Sequence, residues 1–333
     1  MKFKDKEVFK SSDHKIKTIL VKNQTNPFKI AALLIFSAFV LVQCGTPKKA
    51  LPAAQVIEDQ GLFWEVSHPD IQHKSYLFGT IHMIPEELFF LPDGLEAAIA
   101  GSEAVYFEVD VSKMKDPVYQ MEILQQSFMQ GDTTLSDLLT EDEYAFVKTH
   151  FEEMGMPIFM FEKIKPMFLS VFGDKEIMGK NAEGKLRFYE FELMALAEKA
   201  GKEVFGLESI EYQMSLMDSI PYTKQAKYLV QSIQSDQSRE STLDSLFALY
   251  IAQDIEAMHE SLDEGDLSEY DNMLLKHRNQ NWIPVATGSM KEKPCFFAVG
   301  AAHIGGPDGM ITLLRKQGFI IKPVNKAGIS NQQ

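Results

Sequence analysis

The sequence has 333 residues, 45% of them hydrophobic, enough for one large domain or two small ones and too apolar for a disordered or fibrous chain. The formal charge is −14, but the first 44 residues hold eight lysines against three acids, a balance of +5, so the rest stands at −19. A body that acidic repels a phosphate backbone, which argues against nucleic acid as a partner.

Residues 1–29 are polar and basic and lead into an apolar run, Ile30 to Gln43, that closes on Cys44. This is the layout of a secretory signal, and the run is shorter than the roughly 20 residues of a spanning helix. Leu41, Val42, Gln43 and Cys44 stand where a bacterial lipoprotein has its lipobox, although Gln43 is unusual before the modified cysteine. The expectation is an exported, envelope-located protein, membrane-anchored by lipid on Cys44 or, as the alternative, by an uncleaved N-terminal segment. Residues 45–60 read as a tether and 61–327 as the domain. Cys295 lies in an apolar stretch and reads as a small buried hydrophobe. With Cys44 lipidated, no disulfide within the chain remains possible.

Short apolar runs predict strands at Leu62–Val66, Ser75–Phe78, Ala104–Val109, Glu203–Leu207, Cys295–Val299 and Phe319–Val324. Thr140 and Glu143 form a capping box that opens a helix through about Glu153, with His150 expected on an exposed face. A second helix runs from Phe188 to Ala200 and stops at Gly201, and another spans Asp308–Lys316 before Gly318. The stretch from Ile210 to about Glu260 is polar and helical, and is expected to cover or border a substrate cleft. Buried strands interleaved with helices predict an α/β fold: a central, mainly parallel or mixed sheet flanked by helices, with a helical insertion in the middle of the chain.

Two of the eight histidines have Gly three positions before them, in Gly79-Thr80-Ile81-His82 and Gly300-Ala301-Ala302-His303, each directly behind a strand signal. Glycine at the end of a buried strand lets the backbone turn, which displays the histidine at the carboxyl edge, where open α/β sheets bind ligands. Two other strands run into acids at Glu108 and Glu208. In one parallel sheet, His82, Glu108, Glu208 and His303 would converge. Imidazole plus carboxylate suits a divalent metal such as Mn, Co or Zn, which activates water and polarises a carbonyl. Glu208 has a duller reading, in the first turn of a helix from Ser209. Arg278 would either bind a substrate carboxylate or oxyanion, or tie down its helix.

These motifs, with Gly206-Leu207-Glu208-Ser209, Arg278-Asn279-Gln280-Asn281-Trp282 and the closing block Phe297–Phe319, resemble the TraB/GumN family, which includes the animal TIKI proteases. The resemblance covers Gly61 to Val324. It implies a metal-dependent hydrolase, with a peptide or protein as substrate, with His82, Glu108 and His303 serving metal and catalysis, and Arg278 in the site. It also implies a fold like that of erythromycin esterase and ChaN, which keeps two alternatives open: a non-catalytic peptide, haem or metal binder, and a metal-free esterase. Met154, Met156, Met160 and Met167 are too irregularly spaced for haem ligands and read as packing. Neither a His-Glu-x-x-His helix nor a Gly-x-Ser-x-Gly elbow occurs.

Overall fold

The computed structural model describes residues 60–236, 242–263, 270 and 272–324. The expected signal or anchor segment and residues 45–59 of the tether lie outside the described residues. Among those described, no helix is long and apolar enough to cross a membrane.

Six strands form the main sheet: β1 (Phe63–His68), β2 (Ile71–Thr80), β4 (Ala104–Phe107), β6 (Glu203–Gly206), β7 (Cys295–Gly300) and β8 (Ile320–Pro323), in the spatial order β6-β4-β7-β2-β1-β8. The neighbours β6, β4, β7 and β2 run parallel, while β1 is antiparallel to both β2 and β8. The sheet is therefore mixed, and helices flank it, as the alternation of strand and helix signals predicts. The central strands β4 and β7 are buried along their whole length, and their sequences are continuous apolar runs, as expected of strands covered on both faces. The outer part of β2 alternates and only its last four residues are buried in succession.

The register aligns the carboxyl ends. Thr80 pairs with Gly300, while Phe107 pairs with both Ala298 and Gly206. Beyond β4 and β6 the pairing continues, through bonds from Leu207 N to Phe107 O and from Glu208 N to Glu108 O. The residues that leave the ends of these four strands thus emerge at one rim.

The helical insertion is in two parts. One runs between β4 and β5 (Leu186–Phe188) and includes the helices Pro117–Gln126, Glu141–Glu153, Pro166–Phe172 and Lys175–Ala182. The other lies between β6 and β7 and includes Ile210–Asp218, Tyr222–Asp236, Thr242–Ala252, Ile255–Asp263 and His277–Glu292. Strand β5 pairs with β3 (Met83–Pro85) in a separate two-stranded ribbon. That ribbon is absent from the sequence reading because its strands are only three residues long.

The capping box at Thr140 and Glu143 is present. The exposed placement of His150 is not. His150 is 2% exposed, and its Nε2 donates to Gly173 O at 2.5 Å. The reason is helical spacing: Val147, His150 and Phe151 form one stripe turned to the core. Three of the four methionines behave as packing, since Met167 is buried and Met154 and Met156 rest on the core, while Met160 is exposed.

Candidate active site

The two Gly-x-x-His motifs solve the same problem of backbone approach. A Cβ on Gly79 would lie 2.8 Å from Ile304 Cδ1 and 3.1 Å from Ala301 Cα, so β2 can press against the turn after β7 only with glycine there. At Gly300 a Cβ would meet Glu108 Oε1 at 3.2 Å, His82 Nε2 at 3.4 Å and His303 Cδ2 at 3.6 Å. Side chains from three strand ends therefore surround one small space that a glycine leaves open. His82 holds a positive φ of 52°, an uncommon conformation outside glycine.

Each histidine has a defined tautomer. His82 Nδ1 donates to Glu190 Oε1 at 2.6 Å, and Thr80 Oγ1 donates to the same oxygen at 2.9 Å. The β3–β5 ribbon makes this possible: Tyr189 N bonds to His82 O at 2.8 Å, which brings Glu190 to a histidine 108 residues away. With its Nδ1 hydrogen so fixed, the His82 ring presents Nε2 to the space at Gly300. His303 Nδ1 donates to Asn279 Oδ1 at 2.7 Å, while its Nε2 accepts from Arg278 Nη1 at 3.0 Å.

Arg278 binds the remaining acids. Its Nη2 donates to Glu108 Oε2 at 2.7 Å and to Glu208 Oε1 at 2.6 Å, and its Nε donates to Glu208 Oε1 at 2.9 Å. Nη1 reaches Leu274 O at 3.2 Å as well as His303. A guanidinium has five N–H donors, and these contacts engage every one. Trp282 lies under the group, 4.7 Å from Cζ to the ring centre, and its Nε1 donates to Glu208 Oε2 at 2.8 Å. Gln213 Nε2 donates to Glu208 Oε1 at 3.1 Å and to Glu108 Oε2 at 3.4 Å.

The electrostatics reflect this geometry. Burial favours the neutral form of Glu108, but the Arg278 guanidinium beside it outweighs burial and holds the carboxyl at about 2. Burial raises the Glu208 carboxyl above its ordinary value despite Arg278. Burial and the adjacent Arg278 push His303 well below the usual imidazole range, so it is neutral. For His82 burial acts against the charge, but the Glu190 carboxylate prevails and raises the imidazole above its ordinary value.

The four residues expected to converge do so. His82, Glu108 and His303 meet at Gly300, and Glu208 joins Glu108 through Arg278. They are not one ligand set, however. Among the described residues, no three or more His, Cys, Asp or Glu side chains are grouped to hold a metal ion. His303 and Glu208 have their acceptors turned to Arg278. His82 Nε2 and Glu108 Oε1 do fit, because both border the position that a Cβ on Gly300 would fill, and Glu190 Oε2, buried on the Nδ1 side of His82, has no hydrogen-bond partner. Glu208 precedes its helix and is not in its first turn, since Ser209 is the cap, accepting from Tyr212 N at 3.2 Å.

Sequence reading missed Glu190, Gln213, Asn279 and Trp282 as parts of the site. Asn279 and Trp282 lie in the Arg278 block, so the block itself was their signal. Glu190 and Gln213 occupy ordinary helical positions, and only the fold distinguishes them.

A model of the TraB/PrgY/gumN family matches residues 62–323. The chain belongs to this family. Among curated proteins it is 25% identical over 338 residues to Metalloprotease TIKI2 of Xenopus tropicalis, covering 84% of this chain and 62% of that protein. It is 21% identical over 313 residues to Metalloprotease TIKI2 of Danio rerio, and 22% identical over 304 residues to Metalloprotease TIKI1 of Homo sapiens. These alignments cover 78% and 74% of this chain, and 60% and 59% of those relatives. This TraB/PrgY/gumN member thus spans about six tenths of the length of the curated relatives it matches. No solved structure matches it.

Proposed function

We propose that this chain is a metal-dependent hydrolase that cleaves a peptide or protein outside the cytoplasm. The observation that carries the reading is the space at Gly300, onto which His82 Nε2 and Glu108 Oε1 both face. The metalloprotease relatives support the same class. His82 and Glu108 would hold the metal, Mn, Co or Zn, and the bound metal would polarise the scissile carbonyl and activate water.

The chain's own residues prepare that chemistry. Glu190 keeps the hydrogen of His82 on Nδ1, so that Nε2 is the atom presented to the site. Gly300 N donates to Glu108 Oε1 at 2.7 Å, and Arg278 holds Oε2, so the carboxylate is fixed and ionised. Arg278, with every donor engaged inside the protein, serves as a positioning residue and does not reach an oxyanion. His303, neutral and braced by Asn279 and by Trp282 at 4.5 Å between ring centres, closes the third side.

The test is hydrolysis of a peptide panel by the chain stripped with chelator, then resupplied with Mn, Co or Zn. Cleavage should vanish on stripping and return with one of the metals. His82→Ala and Glu108→Gln should each lower the rate by about 10²- to 10⁴-fold, the usual cost of losing one positioned group, and combining them should cost little more. Cleavage that persists without metal would favour a metal-free hydrolase built on the His82–Glu190 pair.

A further inference from the structure

The acceptors around Arg278 form a second candidate cation site. Glu108 and Glu208 have side chains 6% and 5% exposed, and the imidazole of His303 is 1% exposed. Two carboxylates and one imidazole lone pair would suit a divalent transition metal only with the guanidinium between them gone, since with it in place these side chains are not grouped to hold a metal ion. Arg278, itself 1% exposed, is bonded to all three. Since Nδ1 of His303 carries the hydrogen given to Asn279, Nε2 has the ring's one lone pair, and that lone pair points at Nη1.

We infer that Arg278 is a resident cation that withholds Glu208 and His303 from metal and confines a bound metal to His82 and Glu108. The inference rests on the proposed metal chemistry at Gly300. It goes further by assigning Arg278 control of affinity. A lone pair cannot serve a guanidinium N–H and a metal at once, and arginine does not deprotonate in proteins, so metal can gain these ligands only by displacing the whole group.

The surroundings resist such displacement. The indole of Trp282 lies against the guanidinium, Leu274 O accepts from it, and Leu274 belongs to the π-helical turn Asn272–Lys276 that leads into the Arg278 helix. Irregular turns of this kind interrupt the helical ladder and place a carbonyl where a regular helix would not. A metal confined to two protein ligands leaves most of its coordination positions to water and substrate. Such a metal is exchangeable, which suits catalysis more than structure.

The experiment compares metal affinity, independently of activity, in the full-length chain purified in detergent. Calorimetric titration with Mn²⁺, Co²⁺ and Zn²⁺ would be run on the parent, Arg278→Met, Arg278→Lys and Arg278→Met combined with His303→Ala. Arg278→Met should bind about 10- to 100-fold tighter than the parent, the range over which groups next to a metal tune affinity, and should gain more thermal stability from a given metal concentration than the parent does. The added His303→Ala should remove most of that gain.

Should Arg278→Met fold only when metal is present, the exchange of one cation for another is supported directly. Should it not fold at all, Arg278→Lys decides: an ammonium has three donors and cannot cover both carboxylates, the imidazole and Leu274 O, so this variant too should bind tighter. A folded Arg278→Met that binds no tighter than the parent overturns the inference, as does an unchanged Arg278→Lys in the second case. A parent that binds no metal beside an Arg278→Met that does would retire the proposed function and the confinement of metal to His82 and Glu108, and would support only the withholding of Glu208 and His303 by Arg278.

Discussion

At the scale of residues, the pairing of each buried polar group sets what that residue can do. Glu190 raises His82 above the usual imidazole value against the effect of burial. A raised folded-state value means that the pair's stabilisation is fully present below the unfolded-state value near 6.5 and is lost as pH rises through the higher folded value. Glu190→Gln removes the raising partner and leaves burial to depress the same histidine. In the chelated protein, the loss of urea stability caused by Glu190→Gln should therefore be larger at about pH 5 than at about pH 9, on the order of 1–3 kcal/mol at the lower value. Equal losses at the two pH values would show that His82 and Glu190 are not coupled. His150 makes a contrasting case. The sequence pattern suggests a silent surface position, yet its ring fills a core stripe and bonds to Gly173 O. His150→Ala should cost roughly 1–3 kcal/mol by denaturant unfolding, from the lost ring volume and the orphaned carbonyl, while leaving the affinity for metal unchanged.

At the scale of elements, the strand ends and the helix after β6 do different work. The parallel strands deliver His82, Glu108, Glu208 and His303 to one rim because their register is aligned. The stretch from Ile210 borders the site as expected: Gln213 touches both acids, and Tyr250 OH donates to Gly79 O at 3.0 Å. Its first helix buries Ile210, Gln213, Met214, Leu216 and Met217, the packing of a fixed wall. Hydrogen exchange should find Ile210–Asp218 protected to a degree comparable with β7 and unchanged by a peptide ligand. Fast exchange there that slows on ligand binding would show instead a mobile cover over the site. The ribbon of β3 and β5 escaped the sequence reading although it carries the Glu190 contact, because three-residue strands give no periodicity to detect and their pairing joins segments about a hundred residues apart.

At the scale of the whole molecule, the proposed location rests on residues outside the described structure, and it makes its own prediction. Lipid on Cys44 would tether an acidic body to a membrane, so Cys44→Ala should release the protein or block its maturation, as read by fractionation and by migration on a gel. Identical behaviour of the variant would favour an uncleaved N-terminal segment. The fold class, the six main strands and the four rim residues were legible in the sequence, because buried strands need continuous apolar runs and a chain that turns at a sheet edge places a glycine there. Those are local requirements, satisfied within a few residues. Which partner each polar group takes is not a local property. Arg278 reaches Glu108 across 170 residues and Glu208 across 70, and it thereby turns two expected metal ligands, Glu208 and His303, toward itself. Sequence alone placed each of these groups at the end of a strand; the tertiary structure decided that the strand ends share one rim and how the groups pair there, because each buried charge must find its counter-charge among whatever the fold brings within about 3 Å.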